Sequence, residues 1–469
     1  MADSQQGQIQ FGVFFQGVNF STIWHWPDSG SQIDFESFRR VVQTAERGLF
    51  SAFFLGEGLR LREHLGKIHD LDVVGRHDPL TLLAALAGIT DKIGLAATQS
   101  ATYNEPADLA YRLASLNLLS GGRAAWNMVT THNAWTGENF RRGGYLDASD
   151  RYTHAEQFVR TVLAIWNSWE NAEVATSKDA PSWSQGDHTA VYRDDFYDLV
   201  VPRTVPPVPN GRPVTFQAGD SAEGREFAVH YANVIFSAHP EFNDALTFAK
   251  DIRARSIAAG RAERDLKIFP GQFFVVDDTI ELAKEKARAI QEAQVTPQTA
   301  VKYLEQFWGR DLSEFDPDGP FPDVDPAIAT SNVTRGSGFQ NAKALEMAAK
   351  WRAIATENNF SIRDFVIHWT GQGMGRGLIG TPDSISDEIQ KYVDDGAVDG
   401  FNITPFLVPG GIDDIVDRLV PELQTRGLYA TEYTGSTLRE HLGITGSPVP
   451  PLRLAPVESL LERATAAAR

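Results

Sequence analysis

The chain contains no cysteine. That one absence removes disulfides, thiolate zinc sites, iron–sulfur clusters and cysteine nucleophiles together. Basic residues are outnumbered: 43 Lys and Arg face 61 Asp and Glu, a formal net charge of −18. A nucleic-acid binder needs a basic face for phosphates, and no Lys/Arg block appears, so neither nucleic acid nor an anionic membrane surface is expected as a partner. No apolar run reaches membrane-spanning length, and the opening MADSQQGQIQ lacks the charged-then-apolar pattern of a signal peptide. The expectation is a soluble, cytoplasmic protein. What is present is apolar residue enough, 42% of 469, for a large α/β core.

The most informative stretch is Leu118 to His132, LLSGGRAAWNMVTTH. Ser120, Gly121 and Gly122 stop a helix, a β-compatible run follows at once, and that run ends on Thr130, Thr131 and His132. In parallel α/β folds this end of a strand faces the ligand. The same rhythm recurs along the chain. Strands are expected at Ile9–Phe15, Ser51–Leu55, Lys92–Ala97, Ala124–Thr130, Pro213–Gln217, Asn233–Ser237, Lys267–Val276 and Val398–Ile403, with helices between them. Pro270 and Gly271 forecast a bend in the seventh.

Three segments break the alternation. Residues 171–209 read as a rim insertion, 296–375 as a long insertion suited to a lid or an interface, and 427–469 as a C-terminal extension of a single domain. Leu59 to His77 reads as a polar loop, and its His64, His69 and His77 as solvated residues more than metal ligands. Gly375, Gly377 and Gly380 match G-x-G-x-x-G, but Thr381, Pro382 and Asp383 place a helix cap after the third glycine, where a dinucleotide fingerprint opens its helix inside the motif. The hexapeptide LREHLG occurs twice, at 61–66 and 438–443, with no repeat around either copy.

Eight strand–helix units with rim insertions predict an α/β fold, a (β/α)8 TIM barrel, with one polar mouth. Glu57, Ser100, Thr102, Thr130, Thr131, His132, Ser221 and His239 all follow predicted strands. The turn from Ala218 through Gly219, Asp220 and Ser221 into a helix makes a plausible anion cradle, though such a cap is commonly only a cap. Phe14, Phe15, Phe20, Trp24, Trp26 and Trp135 gather near the same mouth; flat apolar walls suit a planar heteroaromatic better than a polycarboxylate.

The runs HDPLTLLAALAGIT, IGLAATQSATYNEPADLAYRLASL, LSGGRAAWNMVT, DRYTHAEQF, QAGDSAEGREFA and LVPELQTRGLYATEYTGSTLREHLGI carry a family resemblance. They resemble the flavin-dependent monooxygenases typified by the nitrilotriacetate, pristinamycin and dibenzothiophene-sulfone enzymes, within the bacterial luciferase superfamily. The resemblance implies reduced FMN (FMNH2) delivered by a separate NAD(P)H flavin reductase, O2 as cosubstrate, and a homo-oligomer, dimer or tetramer. It also implies FMN contacts at Glu57, Thr102, Thr131, Tyr152, Gly219 and Ser221, the last two at the phosphate. Relatives usually carry Asp at Glu57 and His at Ala148.

The chemistry expected from the resemblance is oxygenation through a flavin peroxide, by hydroxylation or oxidative cleavage of a planar heteroaromatic, in a dry aromatic pocket. Imidazole titrates near working pH, so His132 is the first candidate proton carrier and His25 the second, with His368 a distant third; each also reads as a structural hydrogen-bonder. Phe15, Phe20, Trp24, Trp26 and Trp135 are the expected substrate wall. Three other readings stay open: a riboflavin-cleaving lyase of the same family, a deazaflavin-dependent hydride-transfer oxidoreductase, and a non-catalytic flavin-binding protein.

Overall fold

A computed structural model describes residues 7–15, 22–23, 25–59, 63–64, 67–68, 76–131, 134–137, 139–140, 150–170, 189–202, 205, 211–327, 344–375 and 377–444. Eight parallel strands close into a barrel: β1 (Gln10–Phe15), β2 (Ala52–Leu55), β3 (Gly94–Ser100), β4 (Ala124–Val129), β5 (Val214–Ala218), β6 (Val234–Ser237), β7 (Lys267–Gln272) and β8 (Gly400–Ile403). They stand in sequence order around the ring, and β8 closes it on β1 with Gly400 opposite Gln10. Each strand was legible as a short buried run because both of its faces are covered.

The helices between strands follow from their caps and stripes. In α1 (Phe35–Arg47), Phe38, Val41, Val42 and Ala45 form the buried face, and Gly48 ends it. Asp78 caps α2 (Pro79–Ala87) by accepting the Thr81 N–H. α3 (Pro106–Leu119) ends at Ser120, where Gly121 and Gly122 take φ of 66° and 93°. α4 (Arg151–Glu170), α5 (Ala222–Tyr231), α6 (Phe242–Ala258) and α7 (Ile280–Gln294) continue around the barrel.

Alternation along each strand sorts side chains into two cores. Phe11, Val13 and Phe15 point outward to the helices; Phe14, with Phe54, Phe216, Phe236 and Phe269, fills the barrel interior. The lower end of that interior is sealed by the extension after residue 427. Its short helix Leu438–His441 inserts Leu438 and Leu442 among the inward side chains, held by Gln10 Nε2 donating to the His441 carbonyl at 2.7 Å. Gly94 is required there, because a Cβ would stand 2.7 Å from the Ser51 carbonyl oxygen and crowd Leu438. LREHLG is therefore helical in its second copy, whereas Glu63 and His64 of the first lie in a two-residue strand paired with Lys67–Ile68. Context, not the hexapeptide, sets the structure.

Arg123, just after the glycine turn, ties the same end together. Its buried guanidinium donates to the Ser120, Ile93, Ala87 and Thr90 carbonyls and to Thr90 Oγ1, all within 3.1 Å. Carbonyls left open at the end of α2 are thereby satisfied.

Three expectations change. The polar loop after Leu59 contains the small antiparallel ladder just named. The long seventh strand divides: Gln272 Oε1 accepts the Phe273 N–H at 2.9 Å, and Phe274–Val276 leaves the barrel to pair in parallel with Leu378–Gly380. The glycine triplet accordingly spans a helix end, a strand and the Thr381 cap of the helix that starts at Pro382. Within 171–209 the described part is an antiparallel hairpin, Thr189–Arg193 with Asp198–Pro202. Within 296–375, α8 (Pro297–Trp308), α9 (Ala344–Glu357) and α10 (Ile362–Gly375) form a separate aromatic core in which Trp351 packs 5.9 Å from Trp308 and 5.2 Å from Phe365. No described helix is long and apolar enough to cross a membrane.

Leu438→Ala is expected to open a cavity in the barrel floor and to cost about 2–5 kcal/mol of stability. A lowered urea midpoint at unchanged slope would show it.

Candidate active site

The carboxyl ends of the strands form the mouth, and one side of it is the turn from β5 into α5. β5 ends at Ala218, Gly219 turns the chain, and Ser221 caps α5 by accepting the Gly224 N–H at 3.1 Å. A Cβ on Gly224 would stand 2.9 Å from Tyr152 Oη and 3.0 Å from Gly219 Cα, so two glycines allow the strand end and the first helical turn to touch. Tyr152, at the start of α4, brings its hydroxyl to 3.5 Å from Ser221 Oγ, and the Arg151 guanidinium lies 4.9 Å from the Tyr152 ring. Glu223, on the same turn, is held below the ordinary carboxylate range by its own backbone N–H, then by the Ser221 hydroxyl, with Arg151 contributing.

Asp220 faces away from this work. Its Oδ1 is shared by His239 Nε2 at 2.9 Å and Arg225 at 3.0 Å, and Arg225 also bonds Asp251 at 2.9 Å. His239, a strand-end candidate, is thus engaged in a salt-bridge network.

The adjacent side of the mouth is built on Glu57. Its carboxyl follows β2 and accepts the Ser100 N–H at 3.0 Å. Burial pushes its pKa from 4.5 up to about 8; the Ser100 N–H opposes that, Asp78 adds to it and Arg112 offsets it. At neutral pH Glu57 therefore carries a proton. Thr102 is buried beside it and donates its N–H to Ser100 Oγ at 3.1 Å. Two residues that sequence reasoning missed hold this loop: Asn104 Nδ2 donates to the Ser100 carbonyl at 2.8 Å, and Arg112 to Asn104 Oδ1 at 2.6 Å. The only signal for Asn104 was its place between a strand end and the proline that starts α3, and Arg112, two turns into that helix, carried none. Thr130 and Thr131 end β4 half-buried.

The floor of the mouth is aromatic, with Phe54 at 4.7 Å from Phe14 and 5.0 Å from Phe236. Phe15, expected in the substrate wall, packs outward on Phe38 at 4.3 Å; the pleat gives the inward place to Phe14. Trp26 is half-buried against Ile23, Val275, Ile290 and Phe406, where the strand after β7 leaves the barrel. His25 is exposed next to it. His77 bonds the Ile33 carbonyl at 2.6 Å, and His368 is exposed on α10, 5.2 Å from Phe360. Phe20, Trp24, His132 and Ala148, and the side chain of Trp135, lie outside the described residues. The structure thus brings together Glu57 with Thr102, and Gly219 with Ser221 and Tyr152.

A barrel with this mouth matches a known family: the luciferase-like monooxygenase model fits residues 9–399. The chain belongs to the luciferase-like monooxygenases. It is 36% identical to the N-acetyl-S-(2-succino)cysteine monooxygenase of Bacillus subtilis (strain 168), over 94% of this chain and 98% of that one. Identity to nitrilotriacetate monooxygenase component A of Aminobacter aminovorans is 34%, over 93% and 96%. Among solved structures, a riboflavin lyase with modified FMN and riboflavin superposes with a TM-score of 0.75 at 29% identity, covering 95% of this chain and 97% of that one. This luciferase-like monooxygenase is a flavin-dependent oxygenase, and enzymes of this type use reduced flavin and O2. The mouth fits such a cofactor: uncharged donors and a Cβ-free turn suit a phosphate, and a protonated carboxyl suits a ring edge.

Because the folded pKa of Glu57 lies above its unfolded value, the folded state holds the extra proton between about pH 4.5 and 8. Its contribution to stability is full below that window and falls as pH rises through it. The difference in unfolding free energy between the native chain and Glu57→Gln, measured without flavin, is expected to shift steadily against the native chain from pH 5 to pH 8. A pH-independent difference would refute the protonated carboxyl.

Proposed function

We propose that this enzyme binds reduced FMN, delivered by a separate NAD(P)H flavin reductase, and oxygenates a planar heteroaromatic small molecule. The observation that supports the reading is one mouth that holds the Ser221 cap, the buried Glu57 carboxyl and an aromatic floor. FMN supplies the activation of O2 when bound. The hydroxyls of Ser221 and Tyr152 hold the phosphate beside Gly219, with the Gly224 N–H fixing the Ser221 side chain. Glu57 receives the Ser100 N–H on Oε2 and presents its proton from Oε1 to the flavin ring edge, with Thr102 and Thr131 beside it. Phe14, Phe54 and Phe236 keep water from the reacting face. His132, directly after Thr131, is the proposed proton carrier, with His25 second.

Oxidative cleavage of riboflavin is a second reading, supported by the likeness to the riboflavin lyase structure. Assembly into a dimer or tetramer is supported by Tyr111, Leu118 and Leu119 of α3, exposed at 46%, 41% and 70%.

With reductase, NADH and FMN supplied, oxygen uptake and hydrogen peroxide release are measured together. Without substrate the two should match; a fused-ring substrate should lower peroxide recovery while uptake continues. Equal uptake and release with every compound, riboflavin included, would contradict the proposal.

A further inference from the structure

The flavin contacts proposed above occupy the mouth over β2 to β5, and the opposite arc is formed by β7, β8 and β1. Asn402 projects inward from β8. Its ladder partners are Gly12 on β1 and Gly271 on β7, so the one amide stands between two residues with no side chain. Asn402 is 6% exposed, yet its Oδ1 has no hydrogen-bond partner. A Cβ on Gly12 would come within 3.3 Å of that oxygen, whereas a Cβ on Gly271 would meet nothing within 4 Å. Since Ile268 packs outward and Gln272 bonds the Pro240 carbonyl, the pleat turns exposed Gly271 into the lumen. One step down β8, Gly400 is the reverse case, filled by the Phe269 ring 2.7 Å from where its Cβ would be. The recess therefore has an aromatic base, glycine sides and the Asn402 amide.

We infer that this recess is the substrate-recognition subsite, and that Asn402 reads a cyclic amide, a lactam or imide edge, on a planar substrate. A primary amide offers one acceptor and one donor side by side, and its complement is a ring N–H next to a ring carbonyl. A buried amide oxygen with no internal partner destabilises the fold, and a donor that arrives with the ligand removes that cost. Glycines on both flanks leave room for a flat ring to come edge-on to the amide. The inference rests on the flavin oxygenase reading for which side of the mouth is free.

The test uses the full-length chain loaded with FMN. Lumazine, whose ring N–H groups are free, and 1,3-dimethyllumazine, in which both are methylated, are titrated by calorimetry. Lumazine is expected to bind about tenfold tighter or more. Asn402→Leu should abolish that preference while FMN retention is unchanged, and Gly271→Leu, which fills the lumen at the ladder neighbour of Asn402, should weaken both ligands. Failure of lumazine to bind, equal binding of the two, or a preference that survives in Asn402→Leu would overturn the inference with FMN still in place. Failure of the native chain to take up FMN would overturn the flavin reading and this inference with it.

Discussion

Closing eight parallel strands into a ring is the constraint on which the rest of the molecule depends. Once Gly400 pairs with Gln10, no strand edge remains and every strand residue must face either the lumen or the helices. That parity decides which of two adjacent phenylalanines lines the mouth: Phe14 does, and Phe15 supports α1. Parity likewise sends Asn402 inward and Phe401 outward. Closure also leaves a hole at the amino end. Leu438 and Leu442 fill it, which is why a segment far beyond the last strand belongs to the core.

At the other end the chain solves an electrostatic problem with few charges. A protein of formal charge −18 is proposed to hold a phosphate at a turn with one guanidinium, that of Arg151, beside the Tyr152 ring. Backbone N–H groups at the start of α5 and the neutral hydroxyls of Ser221 and Tyr152 also supply the field, while nearby Arg225 is committed to Asp220 and Asp251. Burying Glu57 removes a further negative charge from the mouth at neutral pH. The mouth thereby divides into an arc that favours an anion and the arc of β7, β8 and β1.

The barrel was legible because its strands are buried on both faces and its helices carry ordinary caps: Asp78, Ser221 and Thr381 all sit where the sequence placed a helix start. The turn and cap at Ser221 were legible for the same reason. Parity at Phe14 and Phe15 was not, because two identical side chains carry no alternation. The parting of the strand at Phe273 depends on a side-chain bond from Gln272, a contact with no periodic signature. Arg123 looked like an ordinary basic residue after a turn; its role appears only when the end of α2 and the start of β3 meet around it. The second LREHLG is helical where Thr437 caps it and Glu440 completes a capping box, and Leu438 packs into the barrel floor. Asn402 was passed over inside VDGFNI, since a lone asparagine in a short strand announces nothing without its glycine neighbours.

The account turns most directly on the contact between Gly219 and Gly224. The decisive measurement compares the affinities of FMN and riboflavin, which differ by the phosphate, for the native chain and for Gly224→Ala. The native chain should prefer FMN by about tenfold or more, a difference of about 1.4 kcal/mol at least. Gly224→Ala, whose methyl group would press on Tyr152 Oη and the Gly219 backbone, should lose that preference while still binding riboflavin. Equal affinity of the native chain for the two flavins, or an FMN preference untouched by the methyl group, would contradict the placement of the cofactor.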